Sequence, residues 1–543
     1  MLFNWDEYSP NIGCDGFWDA VIIGAGMGGS TVGYALARKG LKVLFLERGS
    51  AQTVFPRSFA EGRMKRLLGL ERREERLKAT GRWSKPLTIM DKGQGRNFTA
   101  PLGSGPGGSS AIYGAGLERM RRVDFEASGH DDPDPDRVSD GWPVSYDDFR
   151  THYVAAEKLF NVAGTPDPCD PDDDTELMAP PPLNSRDQDF FESFQTAGMK
   201  PYRVHVGIGY RNGCRECIGL PCPTDCKADG SSRALCPALV EHGAKILLNC
   251  EVQRVETTNG HATAVIAKHN SRTMKIRPRV VVLAGGALST PILLQNSKST
   301  AWPKGVGNRN DLVGRCLMFH ASDLIALWPR TRLNSAGAQK TLSSRAFYVV
   351  DGRKFGSFQS LGLPASYGAI FDFLMRKAAW FSLQRIPLAE YGIRLGAIAA
   401  AAYFKRACIF ATIIEDFPYR KNRVVVDCSR PSGFYIEYVK SQELTQRIAG
   451  MRSMLMSVLA PHKPRILTGD DNLNMGHPSG TCRFGDNPST SVCDPNNKVW
   501  GVDNLYVADA SFFPSSGGTN PALTVAANAL RIATPIACEA GRV

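Results

Sequence analysis

Ala20-Val21-Ile22-Ile23-Gly24-Ala25-Gly26-Met27-Gly28-Gly29 is the stretch that decides how this chain folds. Its four leading apolar residues read as a buried strand, the glycines as a turn, and the residues to about Lys39 as a helix. A second apolar strand, Val43 to Leu46, then ends in Glu47. This is the dinucleotide fingerprint in the strand, turn, helix and strand context it requires. Gly24 permits the tight turn, Gly26 lets the backbone approach a pyrophosphate, and Gly29 lets helix and strand pack closely, with Gly28 in the same turn. The helix N-terminus offers unpaired N–H groups and a partial positive charge to phosphates. Glu47, 21 residues past Gly26, is placed to accept hydrogen bonds from a ribose, and its charge would repel a 2′-phosphate.

The far end of the chain adds chemistry. Gly476-His477-Pro478-Ser479-Gly480 precedes Leu505-Tyr506-Val507-Ala508-Asp509-Ala510 and Gly517-Gly518-Thr519-Asn520-Pro521. A histidine and an asparagine thus arrive on turns near one end of a short apolar strand, as an acid/base site beside a cofactor requires. Two internal blocks complete the pattern. Gly107-Gly108-Ser109-Ser110 offers small residues where a backbone must lie against a flat ring. Arg279 to Ala284 reads as a central parallel strand meeting a ligand at its carboxyl end, Gly285-Gly286.

In this order the four blocks resemble the glucose-methanol-choline (GMC) oxidoreductases, FAD-dependent alcohol oxidases and dehydrogenases that include cholesterol oxidase. The likeness runs through the fingerprint, 105–114, 283–291 and the C-terminal blocks, nearly the whole chain. It implies FAD rather than NAD. It also implies an α/β fold, with a Rossmann-like FAD-binding domain assembled from separated segments and an α+β substrate-binding cap. The FAD domain is expected at 15–165, 210–320 and 465–543, and the cap at 321–464 with about 166–209. By the same resemblance Gly107, Gly108, Ser109 and Tyr113 lie against the flavin, and Val252 touches the adenine. Ala284 and Gly285 cover the nucleotide half, Asp509 and Ala510 stand beside the diphosphate, and Asn520-Pro521 stands beside the isoalloxazine. Many relatives have Asn or His where this chain has Tyr113, so FAD is expected without a covalent link.

Alcohol oxidation removes a proton from oxygen and a hydride from carbon, and FAD takes the hydride at N5. His477 is the candidate base, because imidazole titrates near about 6.5 and its neutral form is available. The resemblance puts it at the family's catalytic histidine and Asn520 at the second member of the pair, where an amide can hold the hydroxyl but cannot be a base. Glu415 is a candidate substrate-side acid from the cap, as cholesterol oxidase uses a glutamate, beside the plainer reading of an ion-paired acid. His320 is expected to pack in the core.

At 543 residues, with 43% apolar and 22% charged residues, the chain is an ordinary folded protein of at least two domains. The net charge of +12 is spread along the sequence without a recognised nucleic-acid module, so no nucleic-acid partner is expected. Basic residues do gather at 376–406 among Trp380, Phe381, Leu388, Leu395, Ile398, Tyr403 and Phe404. That stretch reads either as a helix packed over a substrate channel or as a peripheral contact with an anionic membrane. The Asp- and Pro-rich run from 124 to 175 reads as a solvated loop region.

No secretory signal is visible at Met1 to Glu7, so a cytoplasmic location is expected, peripheral to a membrane if 376–406 docks on one. Most of the fourteen cysteines are then expected reduced. Cys214, Cys217, Cys222 and Cys226 crowd into thirteen residues and leave zinc, an iron–sulfur cluster, two disulfides or free thiols open. The reading is an FAD enzyme oxidising a CH–OH group of a hydrophobic or bulky alcohol, passing electrons to oxygen or an acceptor protein. The alternatives are a flavin desaturase, isomerase or lyase on the same scaffold, and a redox or binding protein built on the cysteine segment.

Overall fold

The computed structural model describes residues 3–9, 17–52, 73–128, 132, 134–170, 174–331, 333–380 and 389–541, leaving out positions 92, 366 and 471. Met1, Leu2, Asp131, Pro133, Pro171, Asp172, Asp173, Phe381, Arg385 and Leu388 therefore lie outside the described residues, and of Arg376 and Trp380 only the backbone is described.

Strand β1 (Phe17–Ile23) is buried from Trp18 onward, leads into helix α1 (Met27–Arg38), and pairs in parallel with β2 (Val43–Leu46). Its apolar run is continuous because alternate residues serve two cores. Ala20, Ile22, Val43 and Phe45 face α1 and the last helix, Ala522–Glu539. Val21, Ile23, Leu44 and Leu46 join the opposite core with Phe149 and Tyr153. The parallel order is Lys245–Leu247, β2, β1, Arg272–Leu283 and Leu505–Val507. Arg272–Leu283 is shared: its first half pairs antiparallel with His261–His269, which pairs with Cys250–Thr258. The expected α/β fold with a Rossmann-like core is what the chain forms.

A second, eight-stranded sheet draws on both expected units. It contains Met318–Ala321 and Leu473–Ser479 as well as Leu342–Ser344, Gly356–Pro364 and Cys408–Ile414. A four-stranded sheet, Leu87–Asp91, Gln94–Phe98, Arg423–Val426 and Phe434–Glu437, completes the α+β portion.

The run from 124 to 175 is not simply loop. Tyr146–Leu159 is a helix whose Tyr146, Phe149, Tyr153 and Ala156 are buried in the core. A capping box starts it, with the Ser145 hydroxyl accepting the Asp148 N–H at 3.1 Å.

The glycines of the first turn differ in what they tolerate. A Cβ on Gly28 would stand 1.7 Å from the Ala508 carbonyl oxygen, whereas one on Gly26 would meet nothing within 4 Å. Gly28→Ala is therefore expected to lower the melting temperature and soluble yield, at an overpacking cost of about 1–3 kcal/mol. Gly26→Ala should melt like the parent and lose only its hold on a cofactor. Equal melting curves for the two variants would contradict this packing.

Candidate functional site

A cavity of about 670 Å³ opens at the carboxyl edge of the parallel sheet. Its wall takes in Gly24, Gly26, Gly28 and Glu47 from the fingerprint, then Gly108, Ser109, Tyr113 and Val252. Ala284, Gly285, His477, Asp509, Ala510, Asn520 and Pro521 complete it. Nearly every residue expected at a cofactor is thus gathered at one place. Gly29 and Gly107 stand just behind this wall: a Cβ on Gly29 would lie 2.1 Å from the Gly24 oxygen, and the Gly107 N–H donates to the Ala25 carbonyl at 2.8 Å.

The donor set suits a dinucleotide. Gly26 caps α1 with open space where its Cβ would be, so the helix N-terminus is reachable by a diphosphate. Asp509 joins two turns of the wall, accepting from the Gly286 N–H at 2.8 Å, the Thr290 hydroxyl at 2.5 Å and the Ser511 N–H at 2.9 Å. Glu47, expected to meet a ribose, has backbone partners of its own. Its carboxylate accepts from the N–H groups of Ala25 (2.9 Å), Gly49 (2.8 Å) and Gly105 (3.1 Å), so it also ties the first turn to the 103–108 segment.

His477 and His320 meet because their strands pair, Met318–Ala321 running antiparallel to Leu473–Ser479. His320 Nε2 faces the carbonyl oxygens of Gly517 at 2.9 Å and Ser516 at 3.2 Å. Carbonyls only accept, so Nε2 holds the proton. Burial lowers the His320 pKa to about 4, partly opposed by those carbonyls, and Nδ1 is left bare. His477 Nδ1 lies 3.1 Å from that nitrogen and must donate to it. The lone pair of His477 is therefore on Nε2. Asn474 Nδ2 also stands within hydrogen-bond distance of His477 Nδ1, at 3.3 Å, with its Oδ1 held by the Gly476 N–H at 3.1 Å; the closer His320 Nδ1 is the group that takes the His477 proton. The His477 pKa lies well below the ordinary imidazole value, first through burial and then through His320 and Lys340.

Asn520 is oriented by a partner the sequence did not single out. Gln359 Nε2 donates to its Oδ1 at 2.8 Å, which leaves Asn520 Nδ2 as the group's donor. Lys340 was missed too. It is 3% exposed, and its Nζ stands 3.3 Å from where a Cβ on Gly114 would be, behind the cavity wall. Burial lowers its pKa to about 8 against the opposing pull of Glu118 and Glu216. Neither residue lies in a local motif: both reach the site through the second sheet, so no signal in the sequence marked them. His320, expected to pack in the core, is buried there and also meets His477.

Two expectations change. Glu415 is fully buried and is not part of the cavity wall. It follows the strand Cys408–Ile414 into a buried cluster, 4.0 Å from Lys354 Nζ, where burial raises its pKa to about 7. It is the ion-paired acid of the plainer reading rather than a substrate-side group. The four clustered thiols approach in pairs, Cys214 with Cys226 and Cys217 with Cys222. Among the described residues no group of three or more His, Cys, Asp or Glu is arranged to hold a metal ion. Burial pushes the Cys222 thiol up, but the N–H groups of Lys227, Thr224 and Cys226 and the Thr224 hydroxyl pull it below the ordinary value. Lys227 fastens this segment to the cavity wall, donating to the carbonyls of Ala111 (3.0 Å), Cys217 (3.0 Å) and Leu220 (2.6 Å).

Comparison with known proteins identifies the family. Residues 137–322 and 441–529 match the patterns described as GMC oxidoreductase, and 22–52 match a NAD(P)-binding Rossmann-like domain. The paromamine 6′-oxidase of Streptomyces fradiae is 25% identical, over 96% of this chain and 92% of its own. The 2-methyl-1,2-propanediol dehydrogenase of Mycolicibacterium austroafricanum is 25% identical, over 94% of each chain. Among solved structures, a fungal aryl-alcohol oxidase superposes with a TM-score of 0.58 at 17% identity, over 96% of this chain and 99% of its own, which supports the fold. The chain belongs to the GMC oxidoreductase family and is a flavin oxidoreductase acting on CH–OH donors.

Proposed function

We propose that the chain oxidises a CH–OH group with His477 as the base, and that its substrate is a polar, hydroxylated alcohol. The observation that carries the base assignment is the contact between His477 Nδ1 and the bare Nδ1 of His320, which leaves His477 Nε2 unprotonated on the cavity side of the pair. His477 Nε2 takes the hydroxyl proton, and Asn520 Nδ2, held by Gln359, donates to the same oxygen and supports the charge that develops there. FAD, when bound, supplies the hydride acceptor. The residues expected at the cofactor are its proposed ligands, from Gly24, Gly26 and Glu47 through Gly107, Gly108, Ser109, Tyr113 and Val252 to Ala284, Gly285, Asp509 and Pro521. The domain division at 15–165, 210–320 and 465–543, with 321–464 and about 166–209 as the substrate side, belongs to the same reading.

The expectation of a hydrophobic or bulky alcohol rests on the apolar, basic composition of the cap, of which 376–406 is one part. Leu395, Ile398 and Tyr403 are exposed at 70%, 56% and 59%, and none belongs to the cavity wall. The groups near His477 are instead amide, imidazole and ammonium. The names of two relatives, a paromamine oxidase and a propanediol dehydrogenase, fit a hydroxylated substrate.

His477→Ala should keep its flavin and reduce it with alcohol about 10²- to 10⁴-fold more slowly, in single-turnover measurements without oxygen. Unchanged flavin reduction would remove the assignment. Flavin should also leave the protein on acid precipitation, because Tyr113 donates its hydroxyl proton to the Ala228 carbonyl at 2.5 Å; yellow pellets would count against a non-covalent link. Lys340 carries like charge toward His477 and so holds its pKa down. Lys340→Met should therefore move the acid limb of the flavin-reduction pH profile upward. A limb that stays in place would show that burial and His320 alone set it.

A further inference from the structure

Helices Tyr367–Trp380 and Ala389–Tyr403 form a hairpin inserted between two neighbouring strands, leaving the sheet at Pro364 and returning at Cys408, which pair with each other. The first helix packs against Gln94–Phe98 and the second lies outside it. Tyr391, Leu395 and Ile398 are exposed at 68%, 70% and 56%, and Tyr403 at 59%. Spacings of four and three residues put Tyr391, Leu395 and Ile398 on one helix face. The helix's charged residues, Glu390 and Arg394, neutralise each other at 2.6 Å. Large apolar side chains held in water along one face mark an interaction surface.

The charge beside this face says what covers it. Lys405 and Arg406 follow the helix directly and are exposed. With Arg186 they line a cavity of about 370 Å³ at the foot of the hairpin. Its one acid, Asp187, is already taken by Arg186 at 2.8 Å and by the Thr341 hydroxyl at 2.7 Å. Among the described residues Arg406 donates to the neutral Thr331 carbonyl, at 3.1 Å, and to no acid. Cationic groups thus border the apolar helix face on a chain of net charge +12. No described helix is long and apolar enough to cross a membrane. We infer that the helix Ala389–Tyr403 lies flat on an anionic phospholipid surface, its apolar face among the acyl chains and Lys405 and Arg406 against the headgroups. This goes beyond the proposed chemistry and is independent of it.

Co-sedimentation of the full flavin-loaded chain with vesicles tests the inference. Vesicles of phosphatidylcholine containing phosphatidylglycerol should carry the protein down, with weak binding to phosphatidylcholine alone and release at high salt. Leu395→Ser with Ile398→Ser should reduce the bound fraction about tenfold. Lys405→Glu with Arg406→Glu should abolish the preference for phosphatidylglycerol. Both variants should keep the flavin spectrum and melting temperature, which shows that the fold is intact. No binding to the anionic vesicles, equal binding to both compositions, or undiminished binding by Leu395→Ser with Ile398→Ser would overturn the inference. So would a dimer in light scattering that this last variant dissociates, which would give the face to a second copy of the chain.

Discussion

The parallel pairing of Leu505–Val507 with Arg272–Leu283 is the constraint on which the site depends. It sets the C-terminal strand against the first turn: the Ala508 N–H donates to the Leu283 carbonyl at 2.8 Å, and the Ala508 carbonyl sits where a Gly28 side chain would be. Only glycine allows that approach, so the fingerprint turn and the C-terminal strand are fitted to each other. The cavity at the carboxyl edge follows from this arrangement, as expected where parallel strands end together. The Ser479-Gly480 turn is clamped to the same edge, with the Gly480 N–H on the Ala510 carbonyl at 3.1 Å and the Thr481 hydroxyl on the Ala287 carbonyl at 2.6 Å.

The chemistry arises where the two sheets meet. One contributes the cradle of glycines and Asp509. The other contributes His320, Gln359 and Lys340, none of which is near a cradle residue in sequence. A chain of directed bonds, from the Ser516 and Gly517 carbonyls through His320 to His477, fixes which imidazole nitrogen keeps its lone pair. Burial then keeps that ring neutral. The proposed base owes its protonation state to its surroundings as much as to its own residue type.

The legible parts of the sequence were those whose physics is local. The first strand, turn and helix were readable because glycine spacing and a buried apolar run act within thirty residues, and His477 and Asn520 stood in short motifs. The helix Tyr146–Leu159 was obscured by Asp and Pro around it, although Ser145 with Asp148 and the spacing of Tyr146, Phe149 and Tyr153 carried the signal. His320 touches His477 across a separation of 157 residues, and nothing local announces such a contact. For 376–406 composition alone leaves two readings, and the exposure of Leu395, Ile398 and Tyr403 is what the inferred surface contact rests on.

In the proposed function the joined ends of the chain bind a flavin beside a neutral His477 and oxidise a carbinol there. The most direct measurement is anaerobic flavin reduction by a hydroxylated alcohol, compared with the same alcohol deuterated at the reacting carbon. The flavin's visible bands should bleach and deuterium should slow the bleaching, because the C–H bond breaks as the hydride leaves. Protein that carries no flavin, or flavin that no alcohol bleaches, would contradict the proposed function.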